Sequence, residues 1–279
     1  MYSKYIKSPI NYTGGKYSIL DHIIPTFPKE IENFVDLFAG GFNVGINVNS
    51  KKIYANDNID CLIGLYEYFK KYDIEKTIQQ IHDKILKYGL SKENVEGYKK
   101  LRTDYNKTKD PLDLFVLICF SFNHQIRFNN KYEFNTSFGL NRSCYNKSIE
   151  NNLICFCDAL KKKDIVFSSQ DFRKFDFSVL PEKSLVYCDP PYLITTAPYN
   201  DGWSEKEDLD LFLLLDSLDK NKIMFSMSNV LFHNGVENTK LIDWSKKYRI
   251  IPIKKTYSNC NYHKIDKLSK TQEVLIMNF

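Results

Sequence analysis

Apolar positions along the chain follow two periods, and the places where the period changes divide it into elements. Short apolar runs bounded by turn residues read as buried strands. They are Phe34-Val-Asp-Leu-Phe38, Lys52-Ile-Tyr-Ala-Asn56, Ile165-Val-Phe167, Ser184-Leu-Val-Tyr-Cys188, Ile223-Met-Phe-Ser226, 250–253 and 273–277. Elsewhere apolar residues recur three and four apart, the spacing of one helix face. Such stripes are Tyr17/Leu20/Ile24, Cys61/Leu62/Leu65/Tyr66/Phe69, Ile74/Ile78/Ile81/Ile85 and Val95/Tyr98/Leu101/Tyr105. A further helix runs from Leu112 to about Phe122 behind Pro111, which suits a first helical position. Ser148 can cap another, with Ile149, Leu153, Phe156, Cys157 and Leu160 on one face. Lys161-Lys162-Lys163 closes it with the sign the helix dipole favours. The last helices run from about Glu205 to Leu218 and, more loosely, to Lys247.

Strands alternating with helices predict an α/β fold. Residues 59–147 interrupt the rhythm, because four helical stripes follow one another there without a strand. The chain therefore divides into 1–58 with 148–279 as one domain and 59–147 as an insert. At the end of the insert, Asn123-His-Gln-Ile-Arg127-Phe-Asn-Asn-Lys131-Tyr-Glu-Phe-Asn135-Thr-Ser-Phe-Gly139 alternates aromatic and polar residues around Asn129-Asn130. This predicts a β-hairpin over 124–140 with Arg, Lys and Asn side chains projecting from it. Lys254 to Lys270, between the last two strands, is polar and basic and is expected to be mobile.

Composition narrows the class. A length of 279 residues suits one large domain, or a core domain with an insert, and 43% hydrophobic content is that of a globular protein. No apolar run reaches the length of a membrane span, and Met1-Tyr-Ser-Lys-Tyr-Ile-Lys7 lacks the apolar core of a secretory signal. Seven scattered cysteines suit a reducing cytoplasm better than a disulfide framework. The net charge of +5 is unevenly spread. Residues 59–147 carry 15 basic against 11 acidic side chains and 240–279 carry nine against three, whereas 148–239 carry nine against 15. A polyanion would meet the two basic blocks, which is the footprint of a nucleic-acid binder.

The chemistry gathers at strand ends. The fourth strand runs into Asp189-Pro-Pro-Tyr192, and neither proline can continue a helix or a central ladder. Asp189 and Tyr192 would then stand outside the carboxyl end of the sheet, where open α/β sheets bind ligands. Phe34–Phe38 runs into Ala39-Gly40-Gly41, a turn that allows close backbone approach without the GxGxxG phosphate cradle. Asn11-Tyr-Thr-Gly-Gly-Lys16 is a second glycine pair. Asp57, next to Asn58, lies 17 residues after Gly40, near the spacing of about 20 at which an acid meets ribose hydroxyls. Asp171-Phe172 follows the third strand. Each could be an ordinary turn taken singly. Cys260/His263 and Cys155/Cys157 have no second pair at ligand spacing, so no metal is expected.

Taken in order, these stretches resemble the Dam-type DNA adenine N6-methyltransferases of the D12 class over nearly the whole chain. The resemblance implies a methyltransferase fold, a mostly parallel seven-stranded sheet flanked by helices, with a helical insert carrying the target-reading hairpin. It implies S-adenosylmethionine as cofactor, with Tyr12, Lys16, Phe38, Gly40, Asp57, Asn58, Asp171, Phe172 and Asp189 around it. Asp189, Pro190, Pro191 and Tyr192 would form the catalytic turn, and Arg127, Asn129, Asn130, Lys131, Asn135 and Arg142 would meet duplex DNA. The sequence departs from the family pattern at Tyr12, where Trp is usual, at the Ala39-Gly40-Gly41 turn, at Ser137 in place of a proline, and in the loop Thr195–Trp203.

The implied chemistry accounts for the residue types. The lone pair of adenine N6 is conjugated into the ring. A carboxylate (Asp189) and the Pro190 carbonyl, accepting its two hydrogens, would turn it towards the methyl donor. Tyr192 would stack on a base swung out of the duplex. Action as a monomer or a dimer, a companion restriction endonuclease and a cytoplasmic location are further expectations. An RNA or protein amino-methyltransferase and an inactive DNA-binding relative are the alternatives. The first more often has Asn at position 189 and needs no insert, and the second would not need Lys16, Asp57, Asp189 and Tyr192 intact.

Overall fold

The computed structural model describes residues 4–195, 202–253 and 271–279. The seven predicted strands lie in one sheet: β1 (Asn33–Asp36), β2 (Lys52–Asn56), β3 (Ile165–Ser168), β4 (Leu185–Cys188), β5 (Met224–His233), β7 (Arg249–Pro252) and β8 (Gln272–Met277). A short β6 (Val236–Glu237) pairs only with β5. The order is β3-β2-β1-β4-β5-β8-β7. The first five run parallel, and β8 is antiparallel to both neighbours. Strand order reverses at β1, which has β2 on one side and β4 on the other, so the switch point where such sheets bind ligands lies between β1 and β4.

Alternation along the strands sends side chains to two cores. Val35, Leu37, Val186 and Cys188 meet α7 (Glu205–Lys220) and α8 (Thr239–Ser245), where Trp244 stacks on Phe212 at 4.5 Å. Phe34, Ile53, Ala55, Leu185 and Tyr187 face the other way. There they share one continuous core with α2 (Asp60–Lys71), α3 (Ile74–Tyr88), α4 (Val95–Thr108), α5 (Pro111–Phe120) and α6 (Lys147–Lys162). Of the helices in 59–147, α2 packs on β3 and the others pack on α2 and on one another, in a core continuous with that of the sheet. α5 is buried along its whole length, as expected of a helix that is apolar all round.

Several boundaries differ from expectation for local reasons. Asn146, not Ser148, caps α6, its side chain accepting from the N–H groups of Ser148 and Ile149. β5 continues past Ser226 because it pairs with β8 as far as Gln272. Its buried Ser226, Ser228 and Asn229 break the apolar run that marked it in the sequence. The stretch 17–26 is a single turn of α1 (Leu20–Ile23) between 3-10 turns, cut short at Pro25. After Gly40-Gly41 only a 3-10 turn, Gly45–Asn47, follows.

The hairpin forms, with its turn shifted later than the Asn129-Asn130 centre read from the sequence. Tyr132 N–H donates to the Asn129 carbonyl, and Asn129 N–H to that of Glu133. Asn135 N–H reaches the Arg127 carbonyl, and bridges join Phe128 to Phe134 and Ser121 to Phe138. Left-handed Asn123 and His124 interrupt regular pairing, so no continuous ladder develops. One face of α4 grips the hairpin backbone: Tyr98 and Arg102 donate to the Thr136 carbonyl and Lys109 to that of Tyr132. Asn106 both donates to and accepts from Phe134. The basic stretch 254–270 and most of the loop 195–203 lie outside the described residues.

Candidate active site

A cavity of about 350 Å³ opens at the switch point, within the range of small-molecule sites. Three strand ends build its wall, and each delivers an acid. β1 ends in Asp36, β2 is followed by Asp57, and β4 by Asp189. Tyr12, Lys16, Phe38 and Gly40 also line it, as do Asn58, Pro190, Pro191 and Tyr192. The cavity therefore brings together stretches far apart in the chain.

Buried hydrogen bonds fix its wall. Asp57 accepts from the N–H groups of Gly40 at 2.7 Å and Ile59 at 3.0 Å. The carboxylate that the sequence assigned to ribose thus also holds the glycine turn, with lone pairs to spare. Tyr66 donates to the Gly40 carbonyl at 2.5 Å. Gly40 has a φ of 47°, and a Cβ there would stand 3.0 Å from the Tyr12 ring, so close packing by Tyr12 demands glycine. Asn56 ties the ends of β1, β2 and β3 together, donating to the carbonyls of Leu37 and Gln170 and accepting from Ser168.

At the Asp189-Pro-Pro-Tyr192 turn, Lys16 Nζ lies 2.7 Å from Asp189 Oδ2 and 3.7 Å from Glu273 Oε1. It also donates to the Gly14 carbonyl, so the Gly14-Gly15 turn delivers this lysine to the site. The Tyr192 hydroxyl donates to Asp189 Oδ1 at 2.9 Å and reaches Glu273 Oε1 at 3.2 Å. Burial raises the Asp189 carboxyl above the ordinary carboxylate range, against the pull of Lys16. It also pushes Asp36 up to about 7, with Asp189 and Asp57 adding to the rise and the Gly45 N–H opposing it. Burial raises Asp57 as well. Lys16 is the one cation among the described lining residues, facing three acids. A ligand carrying positive charge would relieve this imbalance.

Asp171 and Phe172 lie outside this lining. Asp171 is engaged side-on by Arg173, at 2.8 and 2.7 Å, and Arg173 reaches on to Asp210. Phe172 is buried behind Phe38, with ring centroids 5.4 Å apart. Of the residues expected to meet DNA, Arg127, Asn130 and Lys131 on the hairpin and Arg142 beyond it are exposed. Asn129 is spent on the turn, its side chain accepting from the N–H groups of Lys131 and Glu133. Asn135 accepts from Arg127 Nε at 3.1 Å.

The sequence reading missed Asp36, Trp203, Tyr132 and Glu273. Asp36 had a visible signal, since it ends a strand as Asp57 and Asp189 do. Glu273 had one too, as the single acid in an apolar strand. Trp203 and Tyr132 reach the cavity only through the tertiary fold; Tyr132 is 77% exposed yet sits at the cavity lining. Among the described residues, no helix is long and apolar enough to cross a membrane, and no group of three or more acids, cysteines and histidines is placed to hold a metal. Cys260 and His263 lie outside them.

Asp36 has a measurable consequence. The folded protein holds a proton there that the unfolded chain releases near pH 4. Stability from this group is therefore present in acid and is lost as pH rises from about 4 to about 7, on the order of 4 kcal/mol. Thermal unfolding of Asp36→Asn should show a flatter pH dependence than the unsubstituted protein across that window. Parallel curves would remove the assignment.

Comparison with known proteins identifies the family. The profile of the D12 class N6 adenine-specific DNA methyltransferases matches residues 12–259. The chain is 47% identical to the type II methyltransferase M.FokI of Planomicrobium okeanokoites and 44% identical to the modification methylase StsI of Streptococcus sanguinis. Each alignment covers 99% of this chain and 43% of the relative, so the chain spans less than half the length of either. It is 30% identical to the DNA adenine methylase of Escherichia coli (strain K12), over 68% of this chain and 66% of that one. With the profile match extending across the strand ends, the Asp189-Pro-Pro-Tyr192 turn and the hairpin, the chain belongs to the D12 class N6 adenine-specific DNA methyltransferase family.

Proposed function

We propose that this chain transfers a methyl group from S-adenosylmethionine to N6 of an adenine swung out of duplex DNA. The observation that carries the reading is the Asp189-Pro-Pro-Tyr192 turn, anchored by Lys16 on the wall of an acid-rich cavity at the switch point. The residues present fit the cofactor. Carboxylates outnumber cations in the lining, as a sulfonium with an ammonium group would require, and Phe38 and Trp203 supply aromatic surface. When bound, the cofactor supplies an electrophilic methyl group.

The chain's own residues do the rest. Tyr12, Gly40, Asn58 and the Asp57 carboxylate bound the cofactor side, and Phe172 supports Phe38 from behind. Asp189 and the Pro190 carbonyl accept the two N6 hydrogens, and Pro191 keeps the turn rigid. Because Tyr192 points its hydroxyl at Asp189 and Glu273, it orients the acceptor as well as offering a ring to the base. Asp171, engaged by Arg173, serves the cofactor only if that pair opens. Holding both reactants in place supplies much of the rate.

Residues 59–147 act in this reading as the target-recognition part, joined to a catalytic part formed by 1–58 and 148–279. Arg127, Asn130, Lys131 and Arg142 meet the DNA directly, whereas Asn129 and Asn135 set the hairpin's shape and Arg127's aim. A hairpin of this size fits the major groove, where Arg grips guanine bidentately. Arg127→Ala should lose roughly 1–3 kcal/mol of discrimination at one base pair if Arg127 reads a base. Uniform weakening of all sequences, with a salt slope lower by about one, would instead make it a phosphate contact. Methylation of a site and its single-base variants at two salt concentrations separates the outcomes. No change in either would remove the hairpin from recognition.

Names of the relatives, a type II methyltransferase and a modification methylase, favour a companion restriction endonuclease, with the chain acting in the cytoplasm as a monomer or dimer. The test of the function is transfer of labelled methyl to duplex DNA and to RNA, with the modified base identified. Label in N6-methyladenine of DNA supports the reading. Label in RNA alone, or none, overturns it.

A further inference from the structure

We infer that Glu273 is a positioning residue of this site, the second carboxylate of a buried pair that takes up, through the Tyr192 hydroxyl, the proton released by methyl transfer. This rests on the function proposed above. Glu273 lies on β8, 5% exposed, in a strand whose other buried residues are all apolar. A carboxylate in that place is costly unless it is paired. Its partners are those of Asp189: Lys16 Nζ lies within 3.7 Å of one and 2.7 Å of the other, and the Tyr192 hydroxyl within 3.2 and 2.9 Å. Two acids thus share one lysine and one hydroxyl. Among the described residues, Tyr187, bonded to Ser228, Cys188 and Asp36 at the end of β1 are other titratable groups beside Asp189.

The proton balance gives the arrangement its purpose. In the transfer, a carbon–sulfur bond breaks with its electron pair going to sulfur, and the N6 lone pair forms the new nitrogen–carbon bond. N6 is left positively charged with one hydrogen in excess. Asp189, already accepting a hydrogen bond from N6, receives that proton. Ionised Asp189 and Glu273 with protonated Lys16 carry a single net negative charge, so the cluster becomes neutral on taking one proton. Protonated Asp189 donates to the Tyr192 oxygen while the tyrosine's own proton passes to Glu273. Asp189 is then an acceptor again, and the proton sits one residue further from the substrate. Neither carboxylate needs to face the other directly, because the hydroxyl lies between them.

The experiment pairs single-turnover methylation of adenine-containing duplex DNA, followed across pH, with carbon-13 NMR titration of labelled side-chain carboxyls in the cofactor-free protein. Glu273→Gln should lower the plateau rate by about tenfold to a hundredfold. It should also move the acid limb and the Asp189 titration to lower pH, since a neighbouring negative charge no longer opposes ionisation. Glu273→Asp, which keeps the carboxylate, should keep the limb near its original position. Tyr192→Phe cuts the same bridge without removing an acid and should reproduce the loss of rate. A Glu273→Gln protein with unchanged rate and pH profile overturns the inference. So does a Tyr192→Phe protein with unchanged rate, or an Asp189 titration indifferent to Glu273→Gln. If the unsubstituted chain methylates no DNA, the function proposed above fails, and the carboxyl titration still decides whether the two acids are coupled.

Discussion

Asp189→Ala is expected to reduce methyl transfer by about a hundredfold or more, with the protein folded and most of its DNA affinity kept. A group that accepts a hydrogen bond from the reacting nitrogen as charge develops is worth this much in comparable sites. The structure explains why the fold should survive. Lys16 loses its partner at 2.7 Å but keeps Glu273 at 3.7 Å and the Gly14 carbonyl at 3.0 Å. No buried cation is left stranded, and the Asp189 side chain is itself 19% exposed. In the proposed function DNA affinity rests on Arg127, Lys131 and Arg142, which are exposed on the hairpin and beyond it and lie outside the cavity lining that holds Asp189. Rapid-quench measurement of a single turnover, with circular dichroism and a DNA-binding titration alongside, tests the expectation. Near-normal turnover would show that Asp189 is not the acceptor.

Lys16→Ala should have the opposite profile, with a large loss of stability as well as of function. Lys16 is 5% exposed and is the cation between two acids. Its removal leaves Asp189 and Glu273 facing the same space without compensation, and breaking a buried pair in this way costs about 3–5 kcal/mol. The sign of the pH dependence follows. The Asp189 carboxyl is already raised by burial, and losing Lys16 raises it further. In acid the carboxylate is protonated and the penalty small; as pH rises through the raised value, the penalty grows to its full size. Urea unfolding at acidic and alkaline pH would show a gap between Lys16→Ala and the unsubstituted protein that widens with pH. A gap that narrows with rising pH, or none at all, would mean that the lysine does not compensate these acids. Cofactor binding by calorimetry should weaken in parallel, because the same side chain anchors the Asp189-Pro-Pro-Tyr192 turn.

Both predictions concern residues that the sequence marks plainly, and the reason is physical. A strand buried on both faces must be apolar, so an acid or glycine pair at its end stands out, as at Phe34–Gly41, Lys52–Asp57 and Ser184–Tyr192. Prolines cannot join the ladder, so the point where the chain leaves the sheet was legible as well. Helix faces were legible wherever one side meets the core and the other meets water.

Less was legible where polar residues are buried or where two segments share a job. β5 extends past Ser226 because its backbone is paired by β8, which no local pattern records. Asn146 displaces Ser148 as a cap because backbone direction, not residue type, decides which side chain reaches the open N–H groups. The hairpin turn sits later than its Asn-Asn centre because α4 grips the backbone of Tyr132, Phe134 and Thr136. Asp171 follows β3 as the sequence reads, and only the structure shows that Arg173, two residues on, engages its carboxylate.

The sequence by itself determined the strands, their acidic ends, the run of helices over 59–147 and the point where the chain leaves the sheet at Asp189-Pro-Pro-Tyr192, since each rests on burial or on backbone limits acting within a few residues. The tertiary structure alone decided that Lys16, Asp189, Tyr192 and Glu273 form one cluster and that Tyr132 and Trp203 reach the cavity. Those contacts join residues up to 257 positions apart, and such distances close only when the sheet orders its strands.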